Sequence, residues 1–215
     1  VTNTFPEICG RICPQDRLCE GNCVIEKGFE SVTIGAVEKH ITETAFDNGW
    51  VKPIVPKIEK EYSVGIIGSG PAGLAAADLL RRKGYQVIVY DRYDRVGGLL
   101  IYGIPGFKLE KEIVTRRHEL LEQGGVHFQL ECEIGRDISF TDLQEKHDAV
   151  LIATGVYKAR DIDLVGSELK GVVPALDYLI ASNRKSLGDD VPSFNEGTLN
   201  CLLYTSPSPR DPTKS

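Results

Sequence analysis

Residues 63–91 read SVGIIGSGPAGLAAADLLRRKGYQVIVYD, and this stretch decides the fold. The apolar run Val64–Ile67 ends in Gly68, Ser69, Gly70, Pro71, Ala72 and Gly73, and an Ala/Leu-rich helical segment runs on to Lys83. Gly84 stops that segment, a second apolar run covers Gln86–Tyr90, and Asp91 follows. Strand, Gly-rich turn, helix, strand and acid is the order of a dinucleotide-binding βαβ unit. Gly68 permits the tight turn out of the strand. Gly70 lets backbone approach a pyrophosphate with no Cβ between them, and Gly73 lets the helix lie close on the sheet. The start of the helix adds unpaired N–H groups and a positive dipole end. Asp91 stands where a carboxylate can hold ribose hydroxyls. An acid there favours an unphosphorylated ribose, so FAD or NAD rather than NADP.

The bulk properties set the limits around that unit. A chain of 215 residues has room for one ordinary domain and a smaller module. Its 41% hydrophobic and 26% charged residues are those of a soluble globular protein. A net charge of −6 gives no general attraction to nucleic acid or to an anionic membrane. The sequence has no apolar run of membrane-spanning length and no signal-peptide pattern, so a cytoplasmic location is expected. Its first residue is Val1, not Met, as in an internal fragment.

Four of the six cysteines fall before the nucleotide unit, at Cys9, Cys13, Cys19 and Cys23, in a segment rich in Pro, Gly and charge. That segment has too little apolar material for a core of its own, so something else must tie it down. Disulfides suit a nucleotide-binding neighbour in a reducing compartment poorly. Structural zinc is open, although its usual paired spacing fits badly. Iron–sulfur ligation fits better, because clusters accept irregular cysteine spacings, and plain thiols are the third reading. Residues 31–48 place Ile34, Val37, Ile41 and Ala45 on one helical stripe, with Ser31 or Thr33 as the cap and Gly49-Trp50 as the end. Residues 51–61, with Pro53 and Pro56 among charges, read as an extended connection.

Beyond Asp91, Gly97-Gly98 and Gly103/Gly106 again allow close approach of backbone to a ligand. A helix is expected from Lys108 to Glu122 with Ile113, Leu120 and Leu121 facing the core, and a strand over Val126–Leu130. Ser139 caps a short helix with Asp142 at the capping-box position. The buried strand Asp148–Thr154 ends in Thr154-Gly155, where backbone can lie against a cofactor. Cys132, His118, His127 and His147 have no partner spacing and read as surface or packing residues.

Three long stretches carry a family resemblance: CGRICPQDRLCEGNCVIEKG, TIGAVEKHITETAFDNGW and YDRYDRVGGLLIYGIPGFKLEKEIV. Together with the nucleotide unit they resemble the small (beta) subunits of bacterial NADPH-dependent glutamate synthase. The wider group includes the N-terminal half of dihydropyrimidine dehydrogenase, and nearly all of residues 1–200 is covered. The resemblance implies that NADPH reduces FAD, and that electrons leave through two [4Fe-4S] clusters toward a large (alpha) subunit. There they support the formation of glutamate from glutamine and 2-oxoglutarate. It implies that Gly68, Ser69, Gly70, Pro71, Ala72 and Gly73 cradle the FAD pyrophosphate and that Asp91 takes the ribose. Gly98 and Leu99 would line the cofactor, Ile104, Pro105 and Lys108 would lie on the flavin side, and Thr154-Gly155 would close the site. No catalytic acid or base is implied.

For the metal, the resemblance implies Cys23 in one cluster and Cys13, Cys19 and Glu38 in the other. An upstream C-x2-C-x4-C-x3-C run supplies the remaining ligands in the family and is absent from this sequence, so incomplete ligand sets are expected. Cys9 matches no family ligand. After Asn200 the family continues into an NADPH-binding unit, whereas residues 201–215 read CLLYTSPSPRDPTKS. Residues 201–211 resemble translated sequencing adapter, and Cys201 is expected to be neither ligand nor structural.

The expected fold is α/β: a Rossmann-like FAD-binding domain with an incomplete parallel sheet, preceded by a small α-helical iron–sulfur module. The expected divisions are 1–50 (partial module), 51–61 (linker), 62–200 (FAD domain) and 201–215 (artefactual or disordered tail). Two alternatives stand beside this. One is a related FAD/iron–sulfur oxidoreductase of the pyrimidine-reducing or ferredoxin:NADP type. The other is a zinc-stabilised, non-catalytic nucleotide-binding module.

Overall fold

The computed structural model describes residues 3–157, 165, 169 and 172–195. The chain divides into two compact units, Val1–Gly155 and Val156–Ser215. In the first, helices α1 (Pro6–Ile12) and α2 (Ile34–Asp47) cross where glycines permit it. A Cβ on Gly10 would stand 2.9 Å from the Gly35 carbonyl oxygen and 3.0 Å from the Lys39 nitrogen. The two backbones therefore meet directly. This crossing decides which face of α2 is covered, and it is not the aliphatic one. Gly35 and Thr42 are buried, while Ile34, Val37 and Ile41 are 41%, 47% and 62% exposed. The stripe is present, but it lines a groove of about 760 Å³ together with Leu79 and Leu120 instead of entering a core.

Residues 51–62 have no regular structure, as Pro53 and Pro56 require, yet they are held firmly. The Lys60 N–H donates to the Gly84 carbonyl at 2.8 Å. Arg81 donates to the Gly124 carbonyl at 2.7 Å and pairs with Glu59 at 2.5 Å. One guanidinium thus ties the connection to the ends of two helices.

The sheet follows in chain order: β1 (Ser63–Ile67), α3 (Pro71–Arg82), β2 (Gln86–Tyr90), α4 (Leu99–Tyr102), α5 (Lys111–Gln123), β3 (Val126–Gln129), α6 (Phe140–Lys146) and β4 (Ala149–Ile152). All pairings are parallel, and the strand order is β3-β2-β1-β4. Ile66 pairs with Val89 on one side and Leu151 on the other. Ile66, Leu74, Val87, Val89, Val114, Leu121 and Val126 are fully buried between sheet and helices, and each contributes about 1.5–3 kcal/mol by leaving water. The chain winds outward from β1 to β3 and then returns to the other side of β1. That reversal opens a crevice at the carboxyl ends of β1 and β4, where ligands bind in open α/β sheets.

The Ser139 side chain accepts from the Asp142 N–H at 3.0 Å, as the capping pattern predicts. Helix α5 starts at Lys111, three residues later than expected, because the Lys108 and Leu109 N–H groups both donate to the Pro105 carbonyl in a preceding turn. Its buried side is Lys111, Val114, Arg117 and Leu121, with Ile113 and Leu120 only partly covered. The second unit contains α7 (Ala175–Ser186) and α8 (Pro192–Asn195). No helix among the described residues is long and apolar enough to cross a membrane. The tail 201–215, with Cys201, lies outside the described residues.

Candidate dinucleotide site and cysteine module

The glycines of the turn between β1 and α3 divide into two kinds. Gly68 has φ +107°, and a Cβ there would stand 2.4 Å from the Ala153 carbonyl oxygen. A Cβ on Gly73 would stand 1.9 Å from the Gly68 carbonyl oxygen. Both are demanded by the protein's own packing. Gly70 is different. It has φ −69°, open to any residue, and nothing lies within 4 Å of where its Cβ would be. The space over Gly70 is clear for an atom that is not the protein's. No side chain caps α3, so its first N–H groups remain for a ligand. The turn therefore fits a dinucleotide pyrophosphate on steric grounds.

Asp91 is 8% exposed and is built into this turn. Its Oδ2 accepts from both the N–H and the hydroxyl of Ser69 at 2.6 Å, and its Oδ1 accepts from the Tyr93 N–H at 2.9 Å. Oδ1 keeps further acceptor capacity. The carboxylate first fixes the turn, and any ribose contact would be added to that. The Gly97 N–H donates to the Ser69 carbonyl at 3.1 Å, which brings the Gly97-Gly98 corner onto the same turn. Leu99 opens α4 and is 37% exposed, while Ile104 and Pro105 are half-buried and Lys108 is exposed. Thr154 lies against Gly68, its Cα 3.2 Å from the position of a Cβ there. Gly68–Gly73, Asp91, Gly98 and Thr154 are thus gathered around one turn. The backbone contact of Lys108 is with the Pro105 carbonyl, at 2.9 Å.

The cysteine module is arranged otherwise. Cys13 and Cys19 are exposed, Cys9 and Cys23 are half-buried, and all four are free thiols. Backbone N–H groups of Val32, Ile25 and Glu26 hydrogen-bond the Cys23 sulfur and lower its pKa, which suits a thiolate ligand. Burial and the nearby Glu38 carboxylate push the Cys9 thiol up, against a bond to Asn3 that lowers it. Asn3 donates to Glu38 Oε1 at 2.7 Å. Among the described residues no group of three or more His, Cys, Asp or Glu is placed to hold a metal ion. Cys13, Cys19, Cys23 and Glu38 are not brought together, so the residues present do not form a cluster ligand set by themselves. What the module does have is a buried ionic seam against α5. Arg117 pairs with Glu7 at 2.6 Å, with side chains 5% and 0% exposed. Glu43 accepts from Arg11 at 2.9 Å and Arg116 at 2.8 Å.

Residues 1–50 match the family described as dihydropyrimidine dehydrogenase domain II, 4Fe-4S cluster, and residues 66–110 match the NAD(P)-binding Rossmann-like domain. The glutamate synthase [NADPH] small chain of Azospirillum brasilense is 64% identical over 200 residues, which is 93% of this chain and 42% of that one. The sequence is similar to glutamate synthase small chains over nearly all of its own length. The small chain of the same name from Escherichia coli K12 is 46% identical, over 87% of this chain and 40% of its own length. The sequence spans less than half the length of these small chains. Among solved structures, Mycobacterium tuberculosis FprA in complex with NADPH superposes with a TM-score of 0.51 at 24% identity, over 56% of this chain and 28% of that one. This likeness is one of fold.

Two further groups stand beyond those the sequence singles out. Lys111 is 9% exposed, and its Nζ donates to the Leu100 carbonyl at 3.0 Å and to the Ile104 carbonyl. Burial lowers its pKa to about 8. The Tyr102 hydroxyl donates to Asp94 and accepts from Arg95 at 3.0 Å. Burial and the Asp94 carboxylate raise it to about 12. A signal for Lys111 did exist: it lies three residues before Val114, on the buried side of α5.

Proposed function

We propose that this chain binds FAD at the turn between β1 and α3, and that the complete protein is the small subunit of an NADPH-dependent glutamate synthase. Such a subunit takes electrons from NADPH through FAD and [4Fe-4S] clusters to a large subunit, which makes glutamate from glutamine and 2-oxoglutarate. The observation that carries the FAD reading is the clear space over Gly70, between two glycines whose own surroundings are full. The identity to small chains over nearly all of the sequence supports the rest. Bound FAD supplies a two-electron acceptor that can release electrons singly. This chain's residues hold and orient it: Gly68–Gly73 at the pyrophosphate, and Asp91 through Ser69 and toward the ribose. Gly98, Leu99, Ile104, Pro105 and Lys108 lie along the flavin side, with Thr154-Gly155 at the crevice mouth.

Cys13, Cys19, Cys23 and Glu38 contribute to clusters completed by other donors. Residues 1–50 form the cysteine module, 51–61 the connection and 62–200 the FAD domain, in a cytoplasmic protein. The test is to co-express the complete subunit with its large subunit and follow NADPH oxidation. Oxidation should require both glutamine and 2-oxoglutarate and yield glutamate. Oxidation indifferent to both substrates would assign the chain to an oxidoreductase with another acceptor.

A further inference from the structure

Lys111 carries a buried charge that the proposed cofactor contacts do not use. Among the described residues it forms no ion pair, and Glu112 is the one charged side chain that favours its protonated form. Its donors go to two backbone carbonyls, Leu100 at 3.0 Å and Ile104. Leu100 lies within α4 and Ile104 just beyond it, so the ammonium caps the carboxyl end of a helix four residues long. Cations are favoured at that end, where carbonyls lack partners.

The other end of α4 touches the Gly-rich turn. The Leu100 N–H donates to the Gly97 carbonyl at 3.0 Å, and the Gly97 N–H donates to the Ser69 carbonyl at 3.1 Å. Gly97 has φ +129°, and a Cβ there would stand 2.7 Å from Cγ1 of Val114, one turn along α5 from Lys111. Helix α5 therefore holds α4 at both ends, by packing at Gly97 and by the ammonium at Leu100 and Ile104. Burying an ammonium without a carboxylate is costly. A methionine would fill much of the same space without that cost, but would leave the two carbonyls without their donor.

We propose that Lys111 is a positioning residue of the dinucleotide site, holding α4 so that the Gly97-Gly98 corner stays against Ser69 in the geometry that accepts the cofactor. The proposal rests on the FAD reading above. Lys111 acts through α4 and not by touching FAD.

The test compares the wild-type chain with Lys111→Met, Lys111→Gln and Lys111→Arg. FAD affinity is read by quenching of flavin fluorescence, the flavin absorption band by its shape, and stability by thermal midpoint without FAD. Lys111→Met should change the midpoint little, because relief of the buried ammonium offsets the two unpaired carbonyls, while weakening FAD binding by about tenfold or more, with an altered flavin band. Lys111→Arg, which keeps donors for both carbonyls, should stay within about threefold of wild type with its band shape, and Lys111→Gln should fall between. Two results would overturn the proposal alone: wild-type FAD affinity in Lys111→Met, or affinity lost only in step with a lowered midpoint. A wild-type chain that takes up no FAD overturns the FAD reading as well.

Discussion

The nucleotide turn and the cysteine module share one compact unit, and both rely on close glycine contacts, but they use them to different ends. In the turn, Gly68 and Gly73 draw strand and helix together so that Gly70 can face open space. In the module, Gly10 and Gly35 draw two helices together and leave an aliphatic face open. The turn would hold its ligand with backbone groups that lie within a few residues of each other. The module would hold its ligand with side chains, and those present do not converge. A site made of backbone is complete wherever its local sequence is complete. A site made of scattered thiolates is complete only when every donor is present.

Metal content is where that comparison breaks most visibly. After anaerobic reconstitution with iron and sulfide, the 215-residue chain should retain well below four irons per chain, measured by iron and acid-labile sulfide analysis. Full stoichiometric clusters would show that the module gathers its own ligands and would erase the contrast.

The next largest effect is on the seam that joins the two regions. Glu7→Ala leaves Arg117 buried and unpaired, and should cost about 3–5 kcal/mol in denaturant unfolding. A loss under about 1 kcal/mol would mean that module and sheet are held together by other contacts.

Gly73→Ala should cost about 3 kcal/mol, because its Cβ meets backbone that cannot move aside. Chemical denaturation measures this directly, and the same variant should bind FAD poorly. The smallest effect belongs to a remote control. Ser139→Ala should cost about 1 kcal/mol through loss of the α6 cap, with FAD affinity unchanged.

Much of the nucleotide region was legible because its determinants are local. Strand, turn, helix and acid occupy consecutive residues, and the requirements for small residues at 68 and 73 follow from that order alone. The Ser139 cap was readable for the same reason. The α2 stripe shows where reading stops. Periodicity says that Ile34, Val37 and Ile41 share a face, but the covered face was chosen by the Gly10–Gly35 crossing, which joins residues far apart in sequence. The sequence points Asp91 toward a ribose, and only the folded turn shows its carboxylate bound to Ser69. Lys111 escaped because a lysine is read as a surface residue by type, although its spacing from Val114 put it inside. The placement of Cys13, Cys19 and Glu38 in clusters rests on family resemblance; among the described residues no three such groups are placed to hold a metal ion.

The most direct measurement is titration of FAD into the wild-type chain and into Gly70→Val, with thermal midpoints recorded for both. The Cβ of a valine at position 70 has no protein atom within 4 Å beyond its chain neighbours, and the backbone there is not unusual, so a ligand should register the change far more than the fold does. The expected result is one FAD per wild-type chain, an unchanged midpoint in Gly70→Val without FAD, and FAD affinity reduced by about a hundredfold or more. Equal affinity in the two proteins would contradict the pyrophosphate cradle, and with it the central claim.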